Sequence, residues 1–155
     1  GNHDGWVKEY TELRPETAED YDLMREYAVG GFEVLPENYK YKLGKLIVFH
    51  NLPKLSGDFH TKATLSRMGC NCLYNHFHDF QSYSYQQYGG KRSATSGGCL
   101  CRLDMDYLEG NPNRWTHGLN VIYVNKRTGY FTKYFIEINN GNTVWIGKFY
   151  SGRKV

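Results

Sequence analysis

Three histidines and one short polar run carry the chemistry that this sequence offers. Asn2, His3 and Asp4 stand together near the start, His50 follows the apolar run Leu46 to Phe49, and His76 and His78 flank Phe77 in "YNHFHD". Imidazole nitrogens combined with carboxamide or carboxylate oxygens suit Mn2+, Fe2+ or Zn2+, cations that polarise a phosphate and lower the pKa of bound water. An isolated histidine is more often a packed or solvated residue than a ligand. A strand-end histidine, a His-x-His and an Asn-His pair in one chain bring a metal site into consideration.

The elements around them follow from pattern. "YKLGKLIVFH" predicts a short strand over Leu46 to Phe49 that delivers His50 at its end. "DFHTKATLSRMG" predicts a helix stopped at Gly69, with His60 in its first turn, and "CNCLY" predicts a strand just before "NHFHD". Strand, His, helix, strand, His-x-His is the order of an α/β layered domain, in which polar residues beyond strand ends gather ligands. Upstream, Thr17 to Gly31 predicts a helix, with Thr17 as cap and Gly30-Gly31 as stop. Residues 81–98 show no stable period and predict a long surface loop. "LNVIYV", "YFTKYFIEI" and "NTVWIGKFY", separated by "NKRTG" and Asn139-Asn140-Gly141, predict a closing antiparallel β meander.

The 155 residues suit one domain with a real core, and 14 tyrosines favour a folded chain over a disordered one. A net charge of +3 from scattered Lys and Arg is no dense basic face, so charge gives no argument for duplex binding. No apolar run approaches the roughly 20 residues of a membrane span, so no membrane partner is expected and a cytoplasmic location is the default. The cysteines form two CxC pairs, Cys70/Cys72 and Cys99/Cys101, for which buried reduced thiols, a zinc site and disulfides all stay open.

"GNHD" and "YNHFHDFQS", with "LIVFHN" between them, resemble in order the Gly-Asn-His-Asp/Glu block, the Gly-His-x-His block and the intervening strand-end histidine of calcineurin-like metallophosphoesterases. "GGCLCRLDMDYLEGNPNRWTHGLNVIYV" is similar to the C-terminal parts of phage and bacterial members. The resemblance implies a metallophosphoesterase-like α/β fold and hydrolysis of a phosphomonoester or phosphodiester, with DNA, RNA or a nucleotide as candidate substrates. It makes Asn2, His50 and His76 ligands of a second metal and His78 a ligand of the first. It places His3 at the leaving-group oxygen, with Asp4 orienting its imidazole. Two divalent ions, Mn2+, Fe2+ or Zn2+, would stand about 3.5–4 Å apart in the intact site.

Two departures qualify that expectation. Asn75 stands where the family has Gly, and Asn is the residue next most able to take a left-handed backbone there. The family's Asp-x-His and Gly-Asp-x-x-Asp blocks do not precede Gly1, and the sequence opens without Met. The expectation is therefore a C-terminal part of a larger enzyme, holding one ion or none by itself. A homo-oligomer or a missing N-terminal segment would cover the exposed sheet edge. The alternative is a non-catalytic structural or assembly protein that reuses the scaffold. Asp58, His60, Asp79, Asp104 and Asp106 are expected in surface, cap or loop roles, and His117 in a loop beside Trp115. Lys91 and Arg92 could meet a phosphate from the 81–98 loop, although solvation is the plainer role.

Overall fold

The computed structural model describes residues 2–18, 20–36 and 38–152, and the side chains of residues 2–4 lie outside that description. The chain divides into two compact units, Gly1–Tyr39 and Lys40–Val155.

The smaller unit is helical. Helix α1 covers Asn2–Leu13, a 3₁₀ turn covers Pro15–Thr17, and α2 covers Leu23–Val29. The expected start at Thr17 is corrected: the Thr17 hydroxyl donates back to the Arg14 carbonyl at 2.8 Å, and Asp22 caps α2 by accepting the Arg25 N–H at 3.0 Å. An Asp that satisfies an orphan amide is the stronger start signal. Gly30 and Gly31, the latter at φ 75°, end α2 as expected.

The larger unit is an α/β domain built on a mixed sheet. Its strands are β1 (Tyr41–Leu43), β2 (Leu46–Phe49), β3 (Cys72–Tyr74), β4 (Phe80–Gln87) and β5 (Gly90–Gly97), in the spatial order β1-β2-β3-β5-β4. Strands β2, β3 and β5 run parallel, while β1 and β4 pair antiparallel at the two edges. Helix α3 (His60–Met68) links β2 to β3 and stops at Gly69, which takes a left-handed φ of 61° and donates to the Leu65 carbonyl. Both features match the sequence expectation.

Register sets the layers. Phe49 pairs with Tyr74, Cys72 with Ala94 and Tyr74 with Ser96, so these side chains share one face of the sheet. Leu65 of α3 packs there in one cluster with Phe49, Leu52, Cys72, Tyr74 and Ala94. The Phe49 and Tyr74 rings stack at 5.5 Å. Ser93 and Thr95, one residue out of phase, face the other way. There they meet Lys133 of the hairpin β6 (Gly118–Val124) and β7 (Phe131–Glu137), whose Nζ donates to both hydroxyls.

Two strand expectations are corrected. Residues 81–98 are the β4–β5 hairpin and not a surface loop, and Ala94 to Gly97 are buried. Lys91 and Arg92 therefore open a strand rather than tip a loop. "NTVWIGKFY" is a hairpin of its own, β8 (Asn142–Trp145) and β9 (Lys148–Ser151), reversed at Ile146 and Gly147 with φ of 50° and 71°. The chain thus closes on two antiparallel pairs rather than one meander.

Lys133 gives the larger unit a pH signature. Burial pulls its ammonium down from 10.5 to about 8, against the opposing pull of Cys72. Burial, reinforced by Cys70, pushes Cys72 up from 9.0 to about 12. Burial and then Cys101 push Cys99 equally far, to about 12. From about pH 8 to 9 the unfolded chain holds more protons, on the lysine, so stability rises with pH. Above about pH 9 the two thiols ionise in the unfolded chain alone; they outweigh the single ammonium, and stability falls. Urea unfolding across this range should show a maximum near pH 9. Lys133→Met should remove the rise and add about 1–2 kcal/mol at pH 7, the lost hydroxyl contacts offsetting part of the gain. An unchanged rise in that variant would contradict a buried-ammonium origin.

Candidate functional site

The parallel register that builds the core also brings two histidines together. His50 is the residue after β2 and His76 lies two residues after β3, while the strand ends Phe49 and Tyr74 are paired neighbours. Chain ends leaving adjacent parallel strands in the same direction must emerge side by side. The His76 Nδ1 stands 3.4 Å from the His50 Nε2, with the rings edge to face at 5.3 Å. Two imidazoles sharing one tetrahedral cation at about 2.05 Å each would have nitrogens about 3.3 Å apart. The separation of the pair therefore matches that of two ligands on a common cation.

His78 goes elsewhere. Its backbone takes φ 65°, so the left-handed residue of this turn is His78 and not Asn75, which is absent from the positive-φ residues. The Asn75 Oδ1 instead lies over Gly97, as does the Asn120 Nδ2; a Cβ at Gly97 would stand 2.3 Å from each. Past that turn the His78 ring meets the edge of Trp115 at 4.5 Å, and its Nδ1 lies 3.7 Å from the Cys101 Sγ. His78, Cys99 and Cys101 place one ligand atom each within 4.8 Å of one another, the one such three-ligand cluster among the described residues.

Behind both groups runs a buried polar network. His60 is 2% exposed; its Nε2 lies 2.9 Å from the Asp79 Oδ2 and its Nδ1 2.6 Å from the Tyr74 hydroxyl. With Nε2–H donated to the carboxylate, Nδ1 accepts from the phenol. Asp79 also accepts from the Ser96 hydroxyl at 2.8 Å and from the Gln81 amide at 2.8 Å. Burial holds the Tyr74 phenol above the ordinary tyrosine range. Phe77, between the two site histidines, stacks flat on His60 at 3.9 Å. The network thus grips the turn that presents His76 and His78.

The remaining expectations sort plainly. Asn2, His3 and Asp4 fall in the first turn of α1, and their ligand, leaving-group and orienting roles lie outside the described residues. His60 is in the first turn of α3 as expected, but it and Asp79 are buried partners and not solvated ones. Asp58 pairs with Arg114 at 3.0 Å and Asp104 with Arg102 at 3.1 Å, both at the surface, and Asp106 opens a 3₁₀ turn. His117 bonds the Cys101 carbonyl through Nε2. All four cysteines are free thiols, and the described cluster takes in neither Cys70 nor Cys72. No described helix is long and apolar enough to cross a membrane.

No family model, curated protein or solved structure matches the chain.

Proposed function

We propose that this chain carries the second-metal half of a metal-dependent phosphoesterase, which in the intact enzyme hydrolyses a phosphomonoester or phosphodiester such as a nucleic acid or nucleotide. The observation that carries the reading is the His50–His76 pair, two imidazoles at ligand spacing just past adjacent parallel strands. Those two residues would hold the ion. A divalent cation there supplies Lewis acidity toward a phosphate oxygen. The protein's own part is to fix both rings: the β2–β3 register aligns their backbones, and the Phe77–His60 stack immobilises the turn behind His76. The reduced thiols agree with a cytoplasmic setting. A second copy or a further segment would pair with the short edge strand β1.

The test is Mn2+ loading followed by desalting and elemental analysis, then titration of the loaded chain with inorganic phosphate. Retained Mn2+ with phosphate binding that EDTA removes and Mn2+ restores is the expected result of a half-site. Loss of Mn2+ on desalting would remove the site, and retention without phosphate binding would remove the phosphoesterase reading.

A further inference from the structure

The structure assigns a second, thiolate-rich metal site to His78, Cys99 and Cys101, built to hold one Zn2+ with a fourth position that none of the described residues is seen to fill. The site stands on its own geometry and does not depend on the phosphoesterase reading. Its ligands come from two segments knitted together with a third by backbone hydrogen bonds. The Thr116 N–H donates to the His78 carbonyl at 2.9 Å, the Cys99 N–H to the Thr116 carbonyl at 3.0 Å, and the Gly118 N–H to the Cys99 carbonyl at 3.0 Å. His117 fastens the Cys101 carbonyl from the same side. Gly98 is needed for the approach. At φ 71° a Cβ there would come within 2.7 Å of the Thr116 carbonyl oxygen and 2.9 Å of the Phe135 ring.

The spacing matches the chemistry. A tetrahedral Zn2+ with bonds of about 2.3 Å to sulfur and about 2.05 Å to nitrogen sets an S···N edge of about 3.6 Å. His78 Nδ1 and Cys101 Sγ already stand 3.7 Å apart, and all the ligand-atom separations fall within 4.8 Å. The ligand-atom separations therefore exceed the edges of a zinc tetrahedron by about 1 Å at most. Two thiolates and an imidazole select a soft or borderline cation, which favours Zn2+ over Mg2+, Ca2+ or Mn2+. Two protein thiolates and one imidazole with a free position is also a ligand set of catalytic zinc. The three residues are partly exposed, so solvent reaches them. On binding, each thiol gives its proton to solvent as an S–Zn bond forms; no electrons are transferred.

Co2+ titration of the reduced chain tests the assignment. A thiolate-to-cobalt charge-transfer band that saturates at one Co2+ per chain and bleaches on adding Zn2+ is expected. Cys99→Ser, Cys101→Ser and His78→Ala should each weaken or abolish the band, while Cys70→Ser and His76→Ala should keep it. Loss of the phosphoesterase reading would leave this pattern untouched. Absence of the band in the parent chain, or its survival in both Cys99→Ser and Cys101→Ser, would overturn the site. Because a variant could misfold, alkylation of the unmutated chain gives a second reading by peptide mass mapping. Zn2+ should protect Cys99 and Cys101 and leave Cys70 unprotected, and equal labelling with and without Zn2+ would count against the site.

Discussion

Asp79→Ala should cost the larger unit about 3–5 kcal/mol, a large share of the roughly 5–15 kcal/mol that holds a domain folded. Asp79 is 6% exposed and is the shared acceptor for His60, Ser96 and Gln81. Removing the carboxylate strands the buried His60 N–H and takes one acceptor each from Ser96, whose hydroxyl keeps the Asp79 carbonyl at 2.9 Å, and from half-buried Gln81, which keeps the Asp58 carbonyl at 2.8 Å. A stranded buried donor costs about 1–3 kcal/mol, and breaking a buried charged pair about 3–5 kcal/mol. Asp79→Asn keeps the shape but presents an amide donor to groups that need an acceptor, so it should recover only part of the loss. Urea unfolding followed by circular dichroism reads both. A change within about 1 kcal/mol for Asp79→Ala would mean that the network relaxes onto other partners. The damage should reach the candidate sites, because the Asp79 carbonyl also takes the Gly98 N–H at 2.9 Å and His60 carries the Phe77 stack.

That network also explains which parts of the fold could be read in advance. Strands β2 and β3 and helix α3 announce themselves through apolar runs and a terminal glycine, and all three were legible. Strand β5 was not, because its interior reads Ser-Ala-Thr-Ser-Gly, a composition that suggests a loop. It is buried all the same, since its polar groups find partners across the sheet. Asn71 accepts the Ser93 N–H at 3.0 Å, Ser82 and Thr95 share a hydroxyl contact at 3.3 Å, and Ser96 is held by Asp79. A strand whose polar groups are satisfied inside the domain carries no hydrophobic signature. Strand β4 does carry one: Gln81, Tyr83 and Tyr85 are the half-buried residues, two apart, and that alternation is present in "FQSYSYQQ".

The candidate sites divide along the same line. His50 and His76 were legible as a pair because each follows a strand that the sequence marks, and only the parallel pairing of those strands was needed to join them. The grouping of His78 with Cys99 and Cys101 was not, since it depends on bridges from Asp79 to Trp115 and from Cys99 to His117. Those contacts lie outside any strand run, and sequence spacing alone separates His78 from the CxC pair by the whole β4–β5 hairpin. The left-handed backbone is hidden from the sequence for a related reason. Asn75 looked suited to the turn, but its amide is committed over Gly97, and the reversal falls to His78.

His76→Ala should lower Mn2+ affinity at the His50–His76 pair by at least about a hundredfold while leaving the fold intact. Losing a mere outer partner of a ligand already costs about 10–100-fold in metal affinity, so losing the ligand itself must cost at least the upper end. With His76 gone, one described imidazole remains to face the ion, and a single neutral nitrogen holds a hard cation poorly. His50→Ala should be equally severe. The double variant should be hardly worse than either single one, because ligands of one ion act as a unit and their losses do not add. The fold should tolerate these changes, as His50 is exposed and His76 is half-buried beyond the strand ends. Isothermal titration with Mn2+ measures the affinity, and urea unfolding of the same samples separates lost ligation from lost structure, the opposite pattern to Asp79→Ala. Unchanged Mn2+ affinity in His76→Ala would mean that the 3.4 Å contact is a hydrogen bond between two rings and not the two sides of a metal site.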